Sequence, residues 1–111
     1  MNINQKIHFI HANGFPPEAY KSLFDLLKNE FSIKKFLLQP SNYKTSTIKQ
    51  LKNWETFQDE FINSLNVNEK VIGVGHSIGG NIILRSALKK PKCFSKIIVL
   101  DPTLFIPSII Y

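Results

Sequence analysis

The sequence predicts an α/β fold, a parallel sheet of about four strands with helices on both faces. Short apolar runs alternate with amphipathic segments of helical period along the chain. One apolar run, 70–75, leads directly into Gly75-His76-Ser77-Ile78-Gly79 and then into a helix-forming segment. Polar residues follow the predicted strands. Because a β-α-β-α-β-α-β order gives parallel strands with right-handed crossovers, we expect these strand ends to meet at one edge of the sheet.

The first half of the chain predicts two strands and the helix between them. The first strand covers 6–11, and a helix begins at Pro16-Pro17-Glu18, where prolines are tolerated and an acid is favoured. A second strand over 31–38 ends before Pro40. The apolar face of the helix repeats at helical spacing and consists of Tyr20, Leu23, Phe24, Leu27 and Phe31.

The second half predicts two more helices and two more strands. Thr47-Ile48-Lys49-Gln50 has the form of a capping box, and apolar residues keep a helical period up to Leu65; the alternative start is Asn53. The third strand, 70–75, is apolar enough to be buried on both faces. The third helix covers 78–90 and is stopped by Pro91. The fourth strand covers 96–100 and ends at Asp101-Pro102.

Composition indicates one globular domain. The chain has 111 residues, of which 43% are hydrophobic, which suits a packed core rather than disorder. No apolar run reaches the roughly 20 residues that a membrane-spanning helix needs. The first residues lack the apolar core of a signal peptide, so we expect a cytoplasmic protein. The single cysteine, Cys93, excludes an internal disulfide.

The charge pattern argues against a nucleic-acid partner. The net charge is +6, from 14 basic and 8 acidic residues, but the lysines are scattered. The group Lys89-Lys90-Pro91-Lys92 lies where the third helix ends, and cations there suit the negative pole of the helix dipole.

No spacing of Cys, His and carboxylates predicts a metal site. The glycines near Ser77 do not form a dinucleotide or P-loop motif, so no cofactor is expected.

The segment around Ser77 has the form of a nucleophile elbow. A sharp turn from strand to helix forces the serine into an unfavourable backbone conformation and exposes its hydroxyl. Gly75 and Gly79 fit because side chains at those positions would collide. The Ile78 amide then lies at a helix amino terminus, where free donors and the helix dipole favour negative charge.

Three segments together resemble the amino-terminal half of the α/β-hydrolase fold family. They are His11-Ala12-Asn13-Gly14-Phe15-Pro16, similar to the family's oxyanion loop, Gly75-His76-Ser77-Ile78-Gly79-Gly80, similar to its elbow, and Val99-Leu100-Asp101-Pro102, similar to the strand end after the elbow helix. The resemblance implies a serine hydrolase with Ser77 as the nucleophile.

The same resemblance assigns further roles around Ser77. The Ile78 amide is one oxyanion donor, and the backbone amide of Asn13 or Phe15 is the second. His11, Gly14 and His76 are expected near the pocket. His11 is equally well explained as a structural residue at a strand end. His8 is expected to be structural. His76 is expected to shape the pocket rather than act as the base.

No histidine of this sequence occupies the position of the family's catalytic base. In the family the chain order is serine, acid and histidine, whereas His8, His11 and His76 all precede Ser77. Asp101 follows the strand after the elbow, where some members place the acid. We therefore expect residues 1–111 to form a partial domain without the carboxy-terminal strands, the lid and the catalytic histidine. The expected partners are a small acyl substrate and a complementary chain that supplies the acid and the base.

Three functional hypotheses follow. The first is a serine hydrolase for an ester, thioester or amide, truncated or split and with little activity alone. The second is a non-catalytic binding or assembly module, and the third is a degraded reading frame that retains the first half of the fold. The sequence leaves open the substrate, the oligomeric state and the choice between hydrolysis and acyl transfer.

Overall fold

The structure, a computed structural model, describes residues 5–38 and 55–103. Within these ranges the strands are β1 (Gln5–Ile10), β2 (Phe31–Phe36), β3 (Val71–His76) and β4 (Phe94–Leu100). The α-helices are α1 (Lys21–Leu27), α2 (Glu55–Asn63) and α3 (Ile78–Lys89), and short 3₁₀ turns form at Pro17–Tyr20 and Pro91–Cys93.

The four strands form one parallel sheet in the order β2-β1-β3-β4. The predicted α/β class is confirmed. In the register, Gly75 of β3 lies opposite Ile10 of β1 and Val99 of β4. The carboxyl ends of these three strands therefore lie side by side, and the segments that follow them meet at one edge of the sheet.

Helices cover both faces of the sheet, because side chains alternate between the faces along each strand. On one face, α1 packs against a core of Ile7, Phe9, Phe24, Ile72 and Val74. On the other face, α2 and α3 pack against a larger core that consists of Ile10, Leu38, Phe57, Phe61, Val71, Ile78, Ile82, Ile83, Cys93 and Phe94. Strand β3 contributes to both cores, as its apolar sequence predicts.

The first helix is shorter than predicted, and the assignment of Phe31 to its apolar face is wrong. After α1 the Glu30 amide donates to the Leu27 carbonyl at 3.0 Å, which closes a turn and starts a strand. Phe31 is the first residue of β2 and pairs with Gln5. It packs against the same core as α1, and this shared burial explains why its spacing looked helical.

The remaining boundaries differ from the predictions by one or two residues. Helix α3 ends at Lys89 rather than at Lys90, because the residue before Pro91 is disfavoured in the helical conformation. Strand β4 begins at Phe94, two residues earlier than predicted. Helix α2 begins at Glu55 within the described residues, and both proposed starts, at 47 and at Asn53, lie outside them.

Among the residues that the structure describes, strand β4 is covered on one face only. Ile97 and Val99 pack against the α2–α3 core. Ile98 and Leu100, on the face that α1 covers elsewhere, remain 44% and 43% exposed. Among the helices that the structure describes, none is long and apolar enough to cross a bilayer.

Candidate active site

Ser77 lies in the turn between β3 and α3 with a strained backbone. Its φ is 57° and its ψ is −118°, a combination that residues with a side chain rarely adopt. Such a conformation costs on the order of 1–3 kcal/mol and persists only where the surrounding structure enforces it. The Ser77 side chain is half-buried, so its hydroxyl lies at the carboxyl edge of the sheet without being sealed from solvent.

Two glycines allow the turn to be this tight. A Cβ on Gly75 would overlap with the backbone of Gly79 and Gly80. A Cβ on Gly79 would overlap with the carbonyl oxygens of Ile10 and His11 at the end of β1. Helix α3 therefore starts in direct backbone contact with the sheet, and no larger residue fits at either position.

The first turn of α3 presents free amides next to Ser77. The Asn81 amide makes the helix's first hydrogen bond, to the Ser77 carbonyl at 3.1 Å. The amide of Ile78 precedes this bond and has no partner within the helix. The Ser77 amide itself donates to the Leu100 carbonyl at 3.0 Å, which ties the turn to the end of β4.

The loop after β1 forms a tight turn beside this helix start. The Phe15 amide donates to the Ala12 carbonyl at 3.0 Å, and Gly14, with a φ of 87°, occupies the position where such a turn favours glycine. The Phe15 amide is thus engaged inside the turn. The Asn13 residue is exposed, and no hydrogen bond from its amide is formed with the described residues.

His11 is buried, and both of its ring nitrogens are engaged. Its Nε2 accepts from the Leu38 amide at 3.0 Å, and its Nδ1 donates to the Ala12 carbonyl at 2.7 Å. Both bonds fit one neutral tautomer, with the proton on Nδ1. His11 therefore joins the end of β2 to the loop after β1, and it also borders a pocket.

His76 and Tyr20 join the same loop to the elbow. The Tyr20 hydroxyl accepts from the Ala12 amide at 2.9 Å and lies 2.9 Å from His76 Nδ1. Because the hydroxyl accepts the amide proton, its own proton is free to be donated to Nδ1. The imidazole also meets the Phe15 ring edge-on at 6.1 Å. His76 is thus directed to the first loop, and its described hydrogen bond is to Tyr20.

The Ser77 hydroxyl has a partner that the sequence analysis missed. Its Oγ lies 3.1 Å from Thr103 Oγ1, just after β4. The segment is fixed by the buried Asn81, whose Nδ2 donates to the Thr103 carbonyl at 2.7 Å. The positions of these residues in the sequence could have indicated the contact. Thr103 follows β4 at the same edge as Asp101, and Asn81 lies one turn into α3.

Asp101 lies at the predicted edge but is not joined to Ser77 or to a histidine. Its side chain is exposed and its φ is 47°. Its carboxylate makes no hydrogen bond or ion pair with any residue of 5–38 or 55–103. In the same ranges, no group of three or more His, Cys, Asp or Glu side chains is arranged to hold a metal ion.

A pocket of about 270 Å³ opens beside the first loop. The predicted site residues His11, Asn13, Gly14 and Phe15 line it, together with Pro16, Pro17, Leu37 and Leu38. His76 is not part of its lining. The structure therefore brings the first-loop residues together around one cavity, while His76 contacts them from the elbow.

His8 lies away from Ser77, on the α2–α3 face of the sheet. It is 8% exposed, it packs against the rings of Phe36 and Phe61, and its Nδ1 has no hydrogen-bond partner within 5–38 and 55–103. Burial, helped by the positive charges of Lys34 and Lys6, lowers the pKa of His8 from 6.5 to about 4. The imidazole is therefore neutral at pH 7.

Sequence comparison finds a likeness to proteins named as a thioesterase and as a hydrolase. The chain is 26% identical over 107 residues to the type I acyl-CoA thioesterase mpaH of Penicillium brevicompactum, a match that covers 83% of this chain and 25% of that protein. It is 32% identical over 94 residues to YugF, an uncharacterised hydrolase of Bacillus subtilis strain 168, over 80% of this chain and 34% of that protein. At this coarse level the likeness is to hydrolases. No protein-family model matches the chain.

A solved structure shares the fold. A point mutant of tomato methylketone synthase I superposes with a TM-score of 0.75 at 23% identity, over 96% of this chain and 43% of that one. At this identity the likeness concerns the fold alone. The chain spans between a quarter and about a third of the length of the curated relatives named above.

Proposed function

We propose that this chain carries the nucleophile and the oxyanion donors of a serine hydrolase of the α/β-hydrolase type. The observation that carries the proposal is the strained Ser77, held with a φ of 57° between a buried strand and a helix amino terminus. A strained serine at a helix start, with unpaired amides beside it, suits attack on a carbonyl and stabilisation of the resulting oxyanion.

In the proposed reaction, Ser77 Oγ attacks the acyl carbonyl while a base takes the hydroxyl proton. The Ile78 amide donates to the tetrahedral oxyanion, and the Asn13 amide is favoured over that of Phe15 as the second donor because the Phe15 amide is already bonded to Ala12. One such donor typically contributes about 10²–10³ in rate. Collapse releases the leaving group with a proton, and water then hydrolyses the acyl-serine.

The proposed substrates are esters, thioesters or amides of a small acyl group. A thioester is included because the relatives from Penicillium brevicompactum are named acyl-CoA thioesterases. The pocket of about 270 Å³ beside the first loop is slightly smaller than typical ligand sites of about 300–1,000 Å³, which suits a small group, although Ser77 is not part of its lining. Phe15, Pro16 and Leu37 supply apolar lining.

We further propose that the base comes from an element outside this chain, and the acid either from outside it or from Asp101. The three histidines are not placed to serve: His8 lies in the core, His11 is bonded on both nitrogens, and His76 is bonded to Tyr20. Strand β4 is an edge strand of the described sheet, and Ile98 and Leu100 are exposed on one of its faces, so a complementary chain would add strands along β4 and cover this face. Asp101 remains a candidate acid at that end of β4.

Trapping of an acyl group tests the proposal. The chain is incubated with a butyryl thioester and imidazole as a substitute base, and its peptides are analysed by mass spectrometry. We expect a butyryl group on Ser77, its absence in Ser77→Ala, and little turnover without imidazole. The internal controls are Ser64 and Ser95, whose hydroxyls bond to backbone carbonyls. Equal acylation of Ser77 and these serines would contradict the proposal.

A further inference from the structure

The hydroxyl of Thr103 is the polar side-chain group that contacts the proposed nucleophile. Thr103 Oγ1 and Ser77 Oγ are 3.1 Å apart, within hydrogen-bond distance. The two residues are 26 positions apart in the chain, so the contact exists only because β4 returns the chain to the elbow. Both side chains are half-buried, which limits the access of competing water.

Three further contacts fix the backbone around Thr103. Its amide donates to the Ser77 carbonyl at 3.1 Å, and its carbonyl accepts from Asn81 Nδ2 at 2.7 Å. The preceding Pro102 lies against Gly80 of α3, where an added Cβ would be 3.2 Å from the proline Cβ. The position of the Thr103 side chain is therefore set by the same helix start that sets Ser77.

We infer that Thr103 is a positioning residue for Ser77, holding the Ser77 hydroxyl in one rotamer. The inference rests on the proposed function of Ser77 and adds a residue to it. A threonine hydroxyl both donates and accepts. In the resting state it pairs with the Ser77 hydroxyl. When a base removes the Ser77 proton, the Thr103 hydroxyl keeps its own proton and donates it to the oxygen that gains negative charge.

Two variants separate the hydroxyl from the methyl group. Thr103→Val keeps the shape and removes the hydroxyl, whereas Thr103→Ser keeps the hydroxyl. Both retain the backbone carbonyl that Asn81 contacts and the amide that bonds to Ser77. Thr56→Val is the matched control, because Thr56 is an exposed threonine on α2. Thermal unfolding confirms that each variant is folded.

The first readout is the rotamer of Ser77, from its three-bond Hα–Hβ NMR couplings in the full chain. We expect one rotamer in the wild type, in Thr103→Ser and in Thr56→Val, and rotamer averaging in Thr103→Val. An unchanged single rotamer in Thr103→Val would overturn the inference. This readout requires no activity and therefore stands even if the proposed function is wrong.

The second readout is phosphonylation of Ser77 by a fluorophosphonate with imidazole present. The Oγ–P bond forms, the P–F bond breaks, fluoride leaves and imidazole takes the proton. We expect labelling to be about fivefold slower in Thr103→Val, the size of one hydrogen bond, and to return in Thr103→Ser. Equal rates in the wild type and Thr103→Val would overturn the inference. No labelling of wild-type Ser77 above other serines would instead count against the proposed function.

Discussion

The Tyr20 hydroxyl illustrates how single residues hold this site together. It links the Ala12 amide in the first loop to His76 in the elbow, 56 residues further along the chain. Its ring meanwhile packs edge-on against Phe9 at 4.7 Å, in the core under α1. One side chain therefore fixes the distance between the loop that offers the proposed second oxyanion donor and the turn that carries the proposed nucleophile.

Replacing Tyr20 by phenylalanine is expected to loosen the first loop without disturbing the core. The buried Ala12 amide would lose its acceptor, which costs about 1–3 kcal/mol of unfolding free energy. Urea unfolding measures this loss, and hydrogen exchange of the Ala12 amide localises it. The Asn81 amide, bonded to Ser77, serves as the control and should keep its protection. Unchanged hydrogen exchange at Ala12 would show that the Tyr20 hydroxyl does not stabilise the first loop.

His8 is expected to make stability depend on pH between 4 and 6.5. Its folded-state pKa is lowered to about 4, so in this window the unfolded chain binds more protons than the folded one. The stability is present above pH 6.5 and is lost as the pH falls towards 4, by no more than about 3 kcal/mol.

The variant His8→Leu isolates this contribution. It fills a similar volume and cannot be protonated, so its unfolding free energy should vary less than the wild type's between pH 6.5 and 4. Urea unfolding across this range is the measurement. The lowered pKa of Asp25, which pairs with Lys21, affects both proteins equally. The pKa of Glu69 is lowered mainly by its partner Lys6, and the smaller lowering by His8 is lost in the variant. If the unfolding free energies of the two proteins changed in parallel with pH, His8 would be ruled out as the source of the pH dependence.

At this scale the sequence predicts the residues of the elbow but not the bonds between distant segments. Ser77 and its glycines are recognisable because the turn imposes their spacing on neighbouring positions. Tyr20 looked like one more apolar residue on a helix, because the role of its hydroxyl depends on a histidine 56 residues away. Thr103 was missed for the same reason, and Asp101, the more conspicuous group beside it, is exposed.

At the scale of elements, the contact between α3 and the end of β1 is the tightest constraint. Gly79 lies against the Ile10 and His11 carbonyls. A Cβ on Gly80 would instead lie 3.2 Å from the Pro102 Cβ and 3.3 Å from the Gly75 carbonyl oxygen, which a small shift relieves. We expect Gly79→Ala to destabilise the fold by about 3 kcal/mol, since an overpacked backbone contact cannot relax. Gly80→Ala should be close to neutral, because alanine favours the helix. Thermal unfolding compares the two, and equal effects would contradict the close approach.

The bounds of helices and strands were predicted best where glycine or proline residues mark the end of an element. Strand β3 and helix α3 were placed within one residue, because Gly75 to Gly79 mark the turn and Pro91 marks the helix end. Phe31 was assigned both to the apolar face of the helix and to the start of the second strand, because its spacing and its burial under α1 are compatible with either, and the strand assignment is confirmed. Periodicity alone cannot locate a tight turn such as the one that Glu30 closes.

At the scale of the whole molecule, the sheet is unevenly covered. On the α1 side, Val74 is 8% exposed, whereas its neighbour in the register, Ile98, is 44% exposed. Together with the absence of a suitably placed histidine within 5–38 and 55–103, this exposed face supports the proposal that the site is completed by elements outside the chain.

The role proposed for Ser77 is tested most directly by mapping fluorophosphonate labelling over the serines of the chain, at increasing imidazole concentration. We expect Ser77 to be labelled slowly alone, its labelling to accelerate with imidazole, and its rate to exceed those of Ser64 and Ser95. The acceleration is expected of a serine that has oxyanion donors beside it and lacks its base. Labelling of Ser77 no faster than the other serines at every imidazole concentration would show that Ser77 is not an activated nucleophile.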